Sequence, residues 1–300
     1  MWAIECNSLS KRFRRVEAVH ELNLQIPEGA IYALMGPNGA GKTTLIKMLM
    51  NLVRPSSGEA SILGGDCRAL AGRSFASIGY VSENQKLPDW MSIGQYIAYW
   101  RPFYPKWDRA LEAELLRRFE LPVKQKLKHL SRGMRMKAQL AGALAYHPRV
   151  VILDEPLSGL DPLVRDELME TLRALATEAT VLLSSHDLAE IDNFATHLGF
   201  IDGGKLQLSA PMEAVHERFR RVRVSGIRKK TEAAPPAEWL KFERDEKTAI
   251  WIETNFDAEP SGKRVQDYFG KVKVESEPLG MREVFLALTK ANDVIKGAVL

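Results

Sequence analysis

Cysteine is nearly absent from this chain. Its 300 residues hold two, Cys6 and Cys67, without the close spacing of a zinc or redox pair, which excludes a disulfide framework and makes a reducing cytosol the natural compartment. Long apolar runs are missing too. The longest, such as residues 150–153 and 181–183, fall far short of the roughly 18–20 residues that cross a bilayer. The start, Met1-Trp2-Ala3-Ile4-Glu5, has neither the basic head nor the apolar centre of a signal peptide. A large excess of one charge is the third absence: 42 Lys and Arg against 38 Asp and Glu leave +4, too little for a chain-wide nucleic-acid surface. Nucleic acid is disfavoured as a partner. No repeat, heptad array or low-complexity tract is visible.

What is present is an ordinary globular composition, 45% hydrophobic and 27% charged, long enough for one large domain and a small one. Residues 4–26 alternate apolar and polar and end at Pro27-Glu28-Gly29, which predicts a small antiparallel sheet. An apolar strand at 30–35, a glycine-rich bend and a helix from Lys42 to about residue 53 follow. Short runs at 78–81, 150–154 and 180–184, continuously apolar or nearly so, predict parallel strands covered on both faces. Between them, residues 87–146 show helical stretches, at 109–119 and 134–145, and no convincing strand. They predict a helical subdomain inserted in an α/β core. Asp202-Gly203-Gly204 marks a hairpin that closes the core. The predicted division is 1–213 for the main domain and 214–300 for a small α+β appendage. The appendage has a basic strand, a Pro/Ala stretch at 233–237, a strand at 248–253, and helices at 261–269 and 281–290.

Gly36-Pro37-Asn38-Gly39-Ala40-Gly41-Lys42-Thr43 fits the pattern GxxxxGK[ST] between a strand and a helix, the setting that pattern requires. Glycines let backbone N–H groups curl around phosphates, and the helix N-terminus faces the negative charge. Lys42 is placed for the β/γ-phosphates, Thr43 for Mg²⁺ and Thr44 for the α-phosphate region. Asp154-Glu155 ends an apolar run at 150–154, where a doubly wound sheet opens its ligand crevice. Asp154 suits an outer-sphere hold on Mg²⁺, and Glu155 suits a general base for water attacking the γ-phosphate.

With these residues the chain resembles the nucleotide-binding subunit of an ATP-binding-cassette (ABC) transporter over residues 4–209, about two-thirds of its length. Leu130-Ser131-Arg132-Gly133-Met134 resembles the family's signature loop, Ser158-Gly159-Leu160-Asp161 its D-loop, and His186 its switch histidine. The resemblance implies an α/β P-loop NTPase of the ABC type, with a RecA-like core, an N-terminal antiparallel β-subdomain and a helical subdomain. It implies ATP and Mg²⁺ as cofactors and a head-to-tail pair in which Ser131 and Gly133 meet the γ-phosphate held by the other subunit. Phe13 takes the place of the aromatic that stacks on adenine, and His186 joins Lys42 and Glu155 as a catalytic residue. A separate transmembrane permease, a second ATPase subunit and a place on the inner face of the cell membrane follow from the same likeness. Residues 280–289 resemble the closing helix of exporter-type subunits, which favours export over import. A soluble cassette that remodels other macromolecules and a regulatory module that no longer closes on ATP are the competing classes.

Three departures from the family stand out. Arg132 takes the place of a usual glycine, Met134 of a glutamine, and Glu83 of a glutamine that senses nucleotide, while Gln85 lies two residues later. Glu83 could reach Mg²⁺ through water but cannot donate a hydrogen bond when ionised. Both Glu83 and Gln85 stay open for that role. Residues 90–107 hold seven of the chain's 24 aromatics, part core and part docking groove for a permease helix, with Trp90 in that groove. A basic run from Arg218 to Lys230 suits a solvated strand or contact with anionic lipid.

Overall fold

The computed structural model describes residues 1–175, 178–186, 191, 194–227, 234–236 and 238–288. Two compact units divide the chain, Met1–Asp187 with Phe194–Ser209, and Leu188–Asn193 with Ala210–Leu300.

In the first unit, β1 (Trp2–Phe13) and β2 (Val16–Pro27) pair antiparallel. Their alternation is the cause. Val19, Leu22, Leu24 and Ile26 are buried while most intervening residues of β2 stay outside, the pattern of a sheet with one face in a core. β3 (Ile31–Met35) is buried at every position. After the phosphate loop comes α1 (Lys42–Leu49), which ends four residues short of the predicted limit because Asn51 turns left-handed (φ 55°), a common helix stop. Strands β4 (Ser57–Ile62) and β5 (Gly65–Asp66) extend the first sheet to the order β2-β1-β4-β5.

Next come β6 (Ile78–Ser82), α2 (Ile93–Trp100), α3 (Arg109–Arg118) and α4 (Arg132–Leu144), then β7 (Val150–Asp154), α5 (Pro162–Leu175), β8 (Thr180–Ser185), β9 (His197–Asp202) and β10 (Lys205–Pro211). The second sheet has the order β10-β9-β3-β8-β7-β6. Neighbours from β9 through β6 run parallel, and β7 and β8 are wholly buried. Between residues 87 and 146 the structure is helical and carries no strand beyond an isolated Ser92–Lys126 bridge. α4 begins at Arg132 rather than at the predicted 134, because the Ser131 hydroxyl accepts from the Met134 amide at 3.2 Å and caps the helix.

The aromatics of that segment divide. Tyr104 stacks on Tyr146 at 3.8 Å and Tyr96 is buried, whereas Trp90, Tyr99 and Phe103 are exposed. Glu112 is buried and accepts from Arg101 (2.8 and 2.5 Å) and from the Trp107 indole (2.7 Å). Burial works to raise its carboxyl, but these hydrogen bonds outweigh burial and hold the pKa below the ordinary value.

The second unit contains α6 (Met212–Arg218), β11 (Arg220–Ser225), β12 (Trp239–Arg244), β13 (Thr248–Glu253), α7 (Ala258–Phe269) and β14 (Lys273–Pro278). The strands form an antiparallel sheet in the order β12-β13-β11-β14. One face builds the core: Val222, Val224, Trp239 and Trp251 cluster with Val265 and Phe269 of α7, and Trp239 stacks on Trp251 at 4.1 Å. The other face is charged. α7 starts three residues earlier than predicted, and residues 281–288 are helical. The basic residues 228–230, positions 233 and 237 of the Pro/Ala stretch, and 289–290 of the last predicted helix lie outside the described residues. Among the described residues no helix is long and apolar enough to cross a membrane.

Candidate nucleotide-binding site

Four parallel strands deliver the functional groups to one end of the sheet. The phosphate loop follows β3, Glu83 follows β6, Asp154 ends β7 with Glu155 after it, and His186 follows β8. Since Met35 lies beside Ser185, Asp154 beside Ser184 and Ser82 beside Asp154, the register aligns these ends. This is the carboxyl edge where open α/β sheets bind ligands.

A cavity of about 450 Å³ opens there, lined by residues 38–44, Ala18, Glu83, Asn84, Glu155, Ser158 and His186. Its floor is backbone. Gly41 caps α1 at φ 112°, and a Cβ there would collide with the Ala18 carbonyl oxygen, so only glycine fits. The β9–β10 turn, Gly203-Gly204, braces the loop: the Gly204 amide donates to the Ala40 carbonyl at 3.0 Å, and the Gly204 carbonyl accepts from the His20 amide at 2.8 Å.

Charge is concentrated in this small space. Lys42 is 5% exposed and its ammonium donates to the Gly36 carbonyl at 2.6 Å and faces Glu155 Oε1 at 3.3 Å. The other Glu155 oxygen lies 2.8 Å from His186 Nδ1. Glu155 holds a left-handed backbone, φ 53°, a strained conformation for a non-glycine residue that clusters at functional sites. Asp154, 2% exposed, accepts through Oδ1 from the Thr43 hydroxyl (3.0 Å) and from the Ser184 hydroxyl (2.9 Å). Ser184 Oγ also accepts from the Glu155 amide at 2.9 Å.

Not every predicted residue meets here. Thr44, Asn38, Gly39 and Ala40 line the cavity. Gly36 and Pro37 contribute the carbonyls that hold Lys42. Phe13 sits at the end of β1, 46% exposed, with the Lys11 ammonium 4.9 Å from its ring centre, outside the cavity wall. Ser131 and Gly133 are at the start of α4, also outside it. Glu83 lines the cavity and is ion-paired with Arg132. Gln85 does not. It lines a second cavity of about 750 Å³ with Met50, Leu52, Phe75, Trp100, Phe103 and Gln139, and Trp90, expected in such a groove, is not on that wall. Among the described residues, Gln85 Oε1, Trp100 Nε1 and Gln139 Oε1 are buried without hydrogen-bond partners.

Ala18, Asn84 and Ser184 are members of the site that the sequence reading missed. Ala18 is remote in sequence and has no distinguishing side chain. Ser184 carried a faint signal, a hydroxyl in an apolar strand directly beside the acidic strand.

A strand–glycine loop–helix cradle, a lysine at its base and paired acids at the end of β7, separated from β3 by β8, define a P-loop nucleoside-triphosphatase. The family described as ABC transporter matches residues 19–158. The ABC transporter ATP-binding protein YcbN of Bacillus subtilis is 33% identical over 218 residues, 71% of each chain. The Nod factor export ATP-binding protein I of Burkholderia orbicola is 32% identical over 296 residues, 95% of this chain and 96% of its own. In fold, the dimeric ATP-binding cassette MJ0796, in a post-hydrolysis state bound to ADP and Pi, superposes with a TM-score of 0.64 at 23% identity, covering 70% of this chain and 98% of that one. The chain belongs to the ABC transporter ATP-binding proteins.

Proposed function

We propose that the chain hydrolyses Mg·ATP at a seam formed with a second copy of itself and that the closing and reopening of this pair drives export through a separate membrane permease. The observation that carries this reading is the convergence of Lys42, Thr43, Asp154, Glu155 and His186 from separate strand ends on one cavity. The cradle fits a triphosphate. Its backbone N–H groups, the α1 N-terminus and Lys42 all present positive charge to one point.

The donor set also fits Mg²⁺. Thr43 Oγ1 and Asp154 Oδ1 lie 3.0 Å apart, hard oxygens of the kind this cation takes, and few in number, as suits an ion that keeps its waters and bridges phosphates. When bound, the metal supplies neutralisation of developing phosphate charge. Glu155 accepts the proton of the attacking water, and its own position is fixed by Lys42 on one oxygen and His186 on the other. Ser184 orients both acids through one hydroxyl. Phe13 is the adenine platform, and Ser131 and Gly133 complete the partner's site. The dimeric arrangement of the MJ0796 cassette supports pairing.

The groove at Leu52, Trp100 and Phe103 supports docking of the permease. It is apolar, and Leu52 and Phe103 are each about 60% exposed, which is unusual for residues without a partner. That docking places the chain on the inner membrane face. Contact of the basic run with anionic lipid is the further part of this proposal; within β11, Arg221 is met by Glu277 and Glu283.

Purified chain tests the catalytic part. Glu155→Gln is expected to bind ATP as the parent does and to lose at least about 100-fold in turnover, while Lys42→Ala loses binding as well. Undiminished hydrolysis by the Glu155 variant would remove the general-base assignment. Copurification with a membrane subunit tests the transport part.

A further inference from the structure

Arg132 and Glu83, two residues that the sequence reading set against the family's pattern, meet each other. Glu83, immediately after β6, lines the phosphate cavity. Arg132 opens α4 beside the cap Ser131, and the two side chains are ion-paired. The guanidinium also lies against Gly159, where a Cβ would strike Nη1 and Cζ. One cation thus joins the phosphate cavity, the turn after β7 and the start of α4.

Nothing in packing requires this arginine, which is 47% exposed. Its place on the helix opposes it as well. α4 has no acid in its first turn, so Arg132 adds positive charge to the positive end of a helix. With the guanidinium this exposed and the Glu83 carboxylate 22% exposed, the pair is partly solvated and holds the arginine only modestly. A terminal phosphate, with more charge and a geometry that takes two guanidinium N–H groups at once, binds it more strongly once water is excluded.

We infer that the Glu83–Arg132 pair is an exchangeable latch. In the single cassette Arg132 is held by Glu83 of its own chain; in the closed pair it passes to the terminal phosphate of the nucleotide held by the second copy. Arg132 is then the group that converts pocket occupancy into closure. This rests on the paired-cassette reading above.

Opposite effects of the two partners are the diagnostic. In full-length chain carrying Glu155→Gln, with Mg²⁺ present, ATP-dependent pairing is followed by light scattering across ATP concentration. Glu83→Gln frees the arginine and keeps an oxygen for the pocket; pairing is expected at several-fold lower ATP. Arg132→Gln is expected to need at least several-fold more ATP, the double variant to follow Arg132→Gln, and Arg132→Lys to recover part of the loss. A merely structural ion pair would shift both single variants the same way, and that result overturns the latch. If the Glu155→Gln parent fails to pair at saturating ATP, the paired-cassette reading falls and takes the latch with it. If the parent pairs and Arg132→Gln matches it, the latch alone falls. Circular dichroism and ATP binding to each variant keep misfolding separate from these outcomes.

Discussion

Two charged cavities of similar size make opposite use of their charge. The one in the first unit, about 450 Å³, gathers groups from separate strand ends around a backbone floor. The other, about 600 Å³, lies on the charged face of the second unit's sheet, with Arg221, Arg223, Lys241, Glu243, Glu275 and Glu277 among its walls. There the charges are neighbours across strands: Arg221 stands opposite Glu277 and Arg223 opposite Glu275 in the β11–β14 register. Arg221 is ion-paired with Glu277 and Glu283, so this charge is met by neighbours on the sheet rather than gathered at one point. In the first cavity Lys42 and the acids are crowded together at a strained turn and shielded from water. Topology, more than charge count, separates a site from a surface.

The largest effect that would break this comparison is expected at Asp154. Asp154→Ala removes the acceptor of both Thr43 and Ser184, and Mg²⁺-dependent turnover should fall by about 100-fold or more, judged by the cost of losing one electrostatic group in a preorganised site. In the second unit, charge should matter to folding instead. Glu253 is 1% exposed and is held by Ser261 and Arg264. Glu253→Ala should cost roughly 2–4 kcal/mol, less than a fully buried pair because Arg264 is partly exposed, read from the chemical denaturation midpoint of the whole chain.

Glu112 sharpens the contrast, since it is a buried acid of the first unit with no part in the cavity. Its folded pKa lies below the ordinary 4.5, so its stabilising contribution is complete above that value and is lost as pH falls below it. Glu112→Gln should flatten the acid limb of a stability–pH curve and leave the neutral-pH ATPase rate unchanged. Smallest of all is Arg221→Ala. An exposed cross-strand pair of this kind contributes about 0–1 kcal/mol, and a larger loss, or any loss of ATP binding, would show that the charged sheet face does more than pair with itself.

The sequence was most readable where pattern and chemistry coincide. Continuous burial announced β7 and β8, and GxxxxGK[ST] located the cradle, because burial on both faces and a glycine turn each demand particular residue types. Strands with one wet face and little contrast were illegible. β4 has only Ala60 and Ile62 buried, and β14 is exposed at every position, so neither shows a period. Within the site, charged members could be named from the sequence, whereas Ala18 and Ser184 act through a backbone carbonyl and a lone hydroxyl. Whether Glu83 or Gln85 faces the nucleotide cavity could not be read from spacing. The chain turns between them, sending one side chain to the phosphate cavity and the other to the apolar groove.

The Gly203-Gly204 tip has a practical side. Viewed as a short glycine turn between two strands, it invites use as an insertion point for an epitope or a fluorophore. Yet its backbone is bonded both to the nucleotide cradle and to an N-terminal strand, so it acts as a keystone. Lengthening it by even one residue should loosen the grip on ATP without touching any side chain that binds it.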